Sequence, residues 1–422
     1  MNVQVRRARP LAVVTGMGLV TSLGSGKQDN WAALTSGKSG IRRIKRFPTD
    51  HLKTTIAGMV DYLPASNRGA GALTAELAET AAEEAVAQAG ISGDFDGPLF
   101  LAAPPVEIEW QHRLALNATL NAGQADAPLL AASRRAGGFE DIFDATQFGT
   151  IAQKLMDRFG TRGLPVTLST ACASGATAIQ LAVDSIRRGE TERALAVAAD
   201  GSATAESLIR FSLLSALSMQ NEAPHRASKP FSRDRDGFVM AEGSAALVIE
   251  TPQSAKARGA KILGVVMGVG DKADDFHRTR SKPDGSPAIA AVRSAIADAA
   301  IEPQQIDYIN AHGTSTPEND KMEALSMSAV FGNRMGELPI SSNKSMIGHT
   351  LSAAGAVEAV ISLLTMREGR IPPTINHDNP DPAIPLDVVP NVARDAEVAT
   401  VLSNSFGFGG QNVCLVLARE PV

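Results

Sequence analysis

The sequence predicts an α/β protein, either two domains or one large fold of two similar halves, and three observations carry that expectation. Short apolar runs recur along the chain, Ala-rich stretches with helical spacing alternate with them, and 422 residues exceed the size at which a single core usually stops growing. The apolar runs are Ala12–Thr15, Leu99–Ala102, Val166–Ser169, Ala194–Ala199, Ser244–Glu250, Ile262–Val269, Tyr308–Ala311 and Val413–Ala418. Their continuous apolarity reads as strands buried on both faces. Leu73–Ala89 and Ala288–Ala300 place apolar residues on one helical face, and each is followed by Gly or Pro and then a new strand. That parallel divides the chain at the charged segment Ala255–Ala260, into residues 1–257 and 258–422.

Composition narrows the function classes. Hydrophobic residues make up 44% and charged residues 20%, so the whole chain is expected to fold. A net charge of −5 gives no basis for nucleic-acid binding. Arg6-Arg7 and the apolar stretch from Leu11 imitate a signal peptide, but glycines interrupt the stretch, and Leu11–Gly16 reads as a buried strand ending in a tight turn. No apolar run reaches the roughly 18 residues of a membrane span. The two cysteines, Cys172 and Cys414, lie far apart without metal-ligand spacing, which argues against a disulfide framework and a zinc site and for a reducing cytoplasm.

Four segments carry chemistry. Around Cys172 a short strand runs through small residues into a helix, the layout of a nucleophile elbow. A thiol at a helix start feels the positive end of the helix dipole, which predicts a lowered pKa, and its N–H can face a developing oxyanion. Tyr308–Ala324 places His312 where a strand gives way to small hydroxyl residues, and Ile340–Ala356 repeats the layout with Lys344 and His349. Leu402–Asn412 gathers three glycines around Phe406 and Phe408, a backbone able to present N–H groups and move an aromatic lid. Together these groups lack a usual metal-ligand set and suit thioester chemistry. The thiolate takes up an acyl group while neutral imidazoles stabilise the enolate of a second thioester. The polar loop 219–237 is either functional or a connection held by the ion pairs of its Arg-Asp-Arg-Asp run.

These segments resemble those of the elongating β-ketoacyl-acyl carrier protein synthases, type I/II, of the thiolase superfamily. The resemblance spans nearly the whole chain: Val14-Thr-Gly-Met-Gly18, Thr170-Ala-Cys172-Ala-Ser-Gly, and Arg235-Asp-Gly-Phe-Val239 occur in the family's order. It implies a five-layered α/β/α/β/α fold, a homodimer, and decarboxylative Claisen condensation of an acyl chain on Cys172 with malonyl units. His312 and His349 would bind the malonyl thioester carbonyl, and Lys344 would pair with Glu323. The N–H groups of Cys172 and Phe408 would form an oxyanion hole, with Phe408 gating the acyl pocket. Thr279, Thr314, Thr316, Phe408 and Gly409 would contact substrate. No cofactor is implied, because acyl groups arrive on the phosphopantetheine of acyl carrier protein. That acidic partner would dock on basic residues, with Arg68, Arg134, Arg135 and Arg210 as candidates.

The resemblance also separates relatives. Initiating synthases carry asparagine where this chain has His349, thiolases use a second C-terminal cysteine, and non-condensing chain-length partners lack the nucleophile. Cys414 lies in an apolar run and reads as a buried strand residue. Ketosynthases of polyketide-like pathways share the chemistry and remain an alternative, as does a non-catalytic partner subunit. The chain departs from the family at Ala102–Trp110, which replaces a glycine-rich stretch shaping the far end of the acyl pocket, and at Gln411. The first departure leaves chain length open and points to an unusual acyl group, a very long chain among them.

Overall fold

The computed structural model describes residues 10–106, 108–119 and 140–420. The strands that matter here are β1 Ala12–Thr21, β2 Leu99–Ala102, β3 Val166–Leu168, β4 Arg193–Asp200, β5 Gly243–Glu250, β6 Gly264–Ala273, β7 Tyr308–Asn310, β8 Pro339–Ser341, β9 Asp387–Val388, β10 Thr400–Phe406 and β11 Gln411–Ala418. The helices that matter here are α1 Ala70–Gln88, α2 Trp110–Thr119, α3 Thr150–Phe159, α4 Ser174–Arg187, α5 Ala205–Leu213, α6 Ser286–Asp298, α7 Pro317–Phe331, α8 Lys344–Ile347 and α9 Ala354–Glu368.

These eleven strands hydrogen-bond into one path, β9-β8-β7-β10-β11-β6-β1-β5-β4-β2-β3. The halves repeat one topology. In the first, β1 pairs antiparallel with β5, β5 with β4, and β2 lies parallel between β4 and β3. In the second, β6, β11, β10, β7 and β8 follow the same order and senses, with β9 added at the edge. Among the described residues the half-sheets are joined only through Ala12–Val14 of β1, which pairs with β6.

Side-chain alternation builds the layers. On β4, Ala194, Ala196 and Ala198 enter the central core while Leu195, Val197 and Ala199 enter an outer core with α1 and α3. On β11, Val413, Leu415 and Leu417 face the centre, whereas Cys414, Val416 and Ala418 pack in the other outer core with α6 and α7. Cys414 is thus a fully buried strand residue. The central core holds α4 and α9 between the half-sheets, so the layers run helix, sheet, helix, sheet, helix. Among the described residues no helix is long and apolar enough to cross a membrane.

One expectation is corrected at the start of the chain. β1 does not turn at Gly16 but continues to Thr21. The glycines admit a helix: a Cβ at Gly16 would stand 2.0 Å from the Ala85 carbonyl oxygen, and one at Gly18 1.8 Å from that of Ala81. α1 therefore lies directly on the strand. The polar loop 219–237 is held by ion pairs, as one of its two readings had it: Arg235 with Asp381 at 2.7 Å and Lys229 with Asp234 at 2.5 Å. It also brackets the His312 loop, since Lys229 N donates to Ser315 Oγ and Gly237 N to the Ser315 carbonyl.

The central helices meet at glycine. A Cβ on Gly175 of α4 would lie 2.6 Å from Ala356 N of α9, and one on Gly355 of α9 would lie 2.6 Å from Ala176 N of α4. Gly175→Val and Gly355→Val are therefore each expected to destabilise the protein by at least about 1–3 kcal/mol, as overpacking does. Chemical denaturation midpoints check this, and a midpoint unchanged in either variant would contradict the close crossing.

Candidate active site

The site forms where the two halves present matching turns. Cys172 follows the third strand of the first half, and His349 follows the third strand of the second. Each turn leads into one of the central helices that cross at glycine. His312 follows β7, the second strand of its half. Cys172 Sγ and one ring nitrogen each of His312 and His349 consequently lie within 4.8 Å of one another.

The elbow at Cys172 is strained. Ala171 takes a positive φ of 50°, a region disfavoured for a residue with a Cβ. Ser174 Oγ bonds the Ala171 carbonyl at 2.6 Å and accepts from Thr170 N at 2.8 Å, which holds the turn. The N–H of Phe408 donates to the cysteine sulfur. The sequence-based expectation of a lowered thiol pKa is nevertheless overturned. Burial pushes the Cys172 thiol up to about 11, against the Phe408 hydrogen bond and the charge of Lys344, with Asp200 and Glu358 adding to the rise. Removing the thiolate from water outweighs the helix start here.

The histidines are buried, at 2% and 1% exposure for His312 and His349, so both sit where an imidazolium would be poorly solvated. Burial, the Lys344 charge and, for His312, its neighbour His349 hold both well below the usual histidine range. Both rings are neutral at ordinary pH. Their centroids are 5.3 Å apart and nearly perpendicular, and Phe238 packs edge-on against His349 at 5.3 Å. His349 is fixed through its backbone, which bonds Val239 and Ala241, while neither ring nitrogen has a hydrogen-bond partner. Two unpartnered nitrogens on a buried ring are consistent with a ligand group completing the site.

Lys344 Nζ lies 3.4 Å from His312 Nδ1 and donates to the His312 carbonyl at 2.7 Å. An ammonium can only donate, so Nδ1 is the acceptor and the ring proton of His312 sits on Nε2. The expected pair between Lys344 and Glu323 does not form. Lys344 pairs with Glu358 of α9, and burial pushes Glu358 up to about 7. Glu323 is occupied by backbone: its oxygens accept from His312 N at 2.8 Å and Gly313 N at 2.7 Å, and Asn404 Nδ2 donates to it at 3.0 Å. It buttresses the His312 turn from below.

Two cavities meet at the cysteine. One, with about 670 Å³ of empty space, is lined by Thr279, Thr314, Thr316, Gly409 and both histidines. The other, about 1180 Å³, is lined by Pro104, Pro105, Val106, Asp200, Ser202 and Thr204. Cys172, Phe211, Leu351 and Phe408 line both, so Phe408 stands between them. The departing segment 102–110 therefore does border the second cavity. Of the basic residues singled out earlier, Arg210 lines that second cavity, Arg68 is exposed beside a separate one, and Arg134 and Arg135 lie outside the described residues.

Sequence reasoning missed Glu358 and Asp200. Glu358 had a signal, being the sole charge in the apolar helix stretch from Ala354 to Met366. Asp200 had none, since only folding carries the end of β4 to the cysteine. Its carboxylate accepts from Ser202 N and Ser352 N, both at 3.0 Å, tying β4 to the turn after His349. As for metals, the cysteine and two histidines offer three donors, but the Lys344 ammonium beside them opposes a second cation.

A half-buried thiol at a strained strand-to-helix turn, two neutral imidazoles and a backbone N–H aimed at sulfur, on a thiolase-like fold, define a cysteine acyltransferase of the condensing type. The chain belongs to the β-ketoacyl synthase family: residues 11–255 match its N-terminal domain and residues 263–378 its C-terminal domain. It is 36% identical to the 3-oxoacyl-[acyl-carrier-protein] synthase 2 of Coxiella burnetii over 96% of this chain and 98% of that one. It is 34% identical to the tetracenomycin polyketide synthase ketoacyl synthase alpha subunit of Streptomyces glaucescens, covering 98% of each chain. Among solved structures, a type II polyketide ketosynthase in complex with its acyl-carrier protein superposes with a TM-score of 0.87 at 31% identity, over 98% of this chain and all of that one. A β-ketoacyl synthase from Burkholderia phymatum gives 0.82 at 32%, over 97% and 100%.

The Asp200 charge faces the thiol, so Asp200→Asn is expected to lower the Cys172 pKa. The pH profile of iodoacetamide alkylation should then move to lower pH. A profile unmoved or displaced upward would show that Asp200 does not act on the sulfur.

Proposed function

We propose that the protein is an elongating β-ketoacyl-acyl carrier protein synthase, and the observation that carries this is the convergence of Cys172, His312 and His349 at the junction of two cavities. In the first half-reaction the Cys172 sulfur attacks an acyl thioester, its proton passing to a neighbouring neutral imidazole and from there to the departing carrier sulfur, so that the carrier leaves as its thiol and the imidazole is neutral again. The Phe408 N–H, with that of Cys172, stabilises the oxyanion of the tetrahedral intermediate. In the second, malonyl thioester occupies the cavity lined by the histidines. Loss of carbon dioxide leaves the bond pair as an enolate, whose oxygen accepts hydrogen bonds from His312 Nε2–H and His349. The enolate carbon attacks the acyl carbon on Cys172, the thiolate departs, and 3-oxoacyl thioester is released. Lys344 keeps His312 in the donor tautomer.

This chemistry uses no cofactor of the protein's own. The acyl groups arrive on phosphopantetheine of acyl carrier protein, a reading supported by the solved ketosynthase held by its carrier. We place the enzyme in the cytoplasm, where both free cysteines stay reduced. A homodimer is supported by β3, which ends the sheet among the described residues with Val166 41% exposed beside Leu164 at 87%. The acyl cavity runs to Ala70 and Glu109, which also line two further cavities, so it suits an acyl group of unusual length. Its polar wall of Asp200, Ser202, Thr204 and Ser207, with the Streptomyces relative, supports a polyketide-like pathway as the second reading.

Intact-mass analysis with a panel of acyl carrier protein thioesters is expected to show one acyl adduct, absent in Cys172→Ala. An unmodified wild-type chain with every donor would remove the mechanism, and preference for 3-oxoacyl over saturated donors would favour the second reading. Cys172→Ala should retain malonyl decarboxylation, whereas His349→Ala should lose it by roughly 10²-fold or more, the scale of one lost oxyanion donor. Full decarboxylation in the histidine variant would reject its role.

A further inference from the structure

We propose that Arg278 and Arg280 form an anion clamp at the mouth of the histidine-lined cavity, and that its ligand is the phosphate of a phosphopantetheine arm. The proposal rests on the reading that acyl groups arrive on such an arm. Both arginines line the cavity whose inner end is the Cys172 thiol, on either side of Thr279, and both are exposed.

Their loop is held in place by backbone bonds. Asp274 accepts from Phe276 N at 2.9 Å and from Lys282 N at 2.8 Å, closing the loop at its base. The loop is also tied to the glycine turn that carries Phe408, since Gly409 N donates to the Arg278 carbonyl and Asp274 N to the Gly410 carbonyl, both at 2.7 Å. A Cβ on Gly410 would stand 2.0 Å from the Asp274 carbonyl oxygen, so the two segments are pressed together.

The charge around the pair leaves it available. Among the described residues neither guanidinium takes part in an ion pair, although many other arginines of the chain do. Two carboxylates line the same cavity. Asp274 is spent on the N–H groups of its own loop, and Glu318 is exposed at the start of α7. Lys282 is engaged with Asp284 at 3.8 Å. Two planar forks one residue apart, without acidic partners, match the oxygens of a phosphate better than those of a neutral group. A phosphopantetheine thioester reaching Cys172 through this cavity would leave its phosphate at the outer end, where the forks stand.

The test compares three donors of one acyl group: the thioester of pantetheine, of phosphopantetheine, and of the acyl carrier protein. With Arg278→Ala/Arg280→Ala, the KM of Cys172 acylation is expected to rise on the order of tenfold for the two phosphate-bearing donors and to stay unchanged for pantetheine, with kcat preserved. The Arg278→Lys/Arg280→Lys double variant should recover part of the loss. An equal change with pantetheine and phosphopantetheine, or no change with phosphopantetheine, overturns the clamp. A loss confined to the carrier protein also overturns it, because the arginines would then contact the protein surface. Calorimetric binding of unacylated phosphopantetheine, lost in the double variant, reads the clamp separately from acyl transfer. Wild-type binding with no acylation by any donor would therefore reject the condensing mechanism and leave the clamp standing, and no wild-type binding would reject the clamp.

Discussion

The crossing of α4 and α9 at Gly175 and Gly355 is the contact on which the rest of the site depends. Each glycine lets the other helix's backbone approach closer than any side chain would allow, and the relation is reciprocal. Because the helices begin at that crossing, the turns preceding them are forced together. One carries the thiol and the other the second imidazole. A Cβ at either glycine would separate the halves' contributions by pushing apart the very turns that must share a substrate. The repeated topology explains the reciprocity: each half supplies a third strand, a turn and a central helix, and the two copies face one another across the central core.

Burial then sets the chemistry. The region is closed enough that desolvation, more than any single charge, determines the state of its groups. It keeps both imidazoles neutral, holds the thiol protonated at rest and raises Glu358. Lys344 is the one buried cation of the site, and its pairing with Glu358 makes that charge tolerable. Losing the acid partner would leave an ammonium uncompensated in a low-dielectric interior, which ordinarily destabilises by about 3–5 kcal/mol. A resting thiol of raised pKa means that nucleophilicity is generated when substrate and a neighbouring base are in place, which suits an enzyme that meets thioesters one at a time.

The strands that carry the site were legible because burial on both faces leaves an unbroken apolar signal. Cys172, His312, His349 and Lys344 were legible because each interrupts or follows such a run beside small residues. Other features were misread for identifiable reasons. Gly16 and Gly18 look like a turn in sequence, yet they serve the contact of α1 with β1, and nothing local distinguishes the two uses. Glu323 was paired with the wrong group because a carboxylate's partner depends on which of several nearby donors reaches it first, and here two backbone N–H groups did. The helix-start argument for an acidic thiol omitted the desolvation that only packing reveals.

By itself the sequence determined the α/β class and the alternation of strands with helices, and it singled out Cys172, His312, His349 and Lys344, because these follow from periodicity and from rare residue types in small-residue turns. The tertiary structure alone decided which groups touch. It joined Lys344 to Glu358, brought Asp200 beside the thiol, placed Phe408 between two cavities and set Arg278 and Arg280 at the mouth of one. Those relations span residues far apart in the chain, and they are fixed by how closely two helices can pack at glycine and by how much water that packing removes.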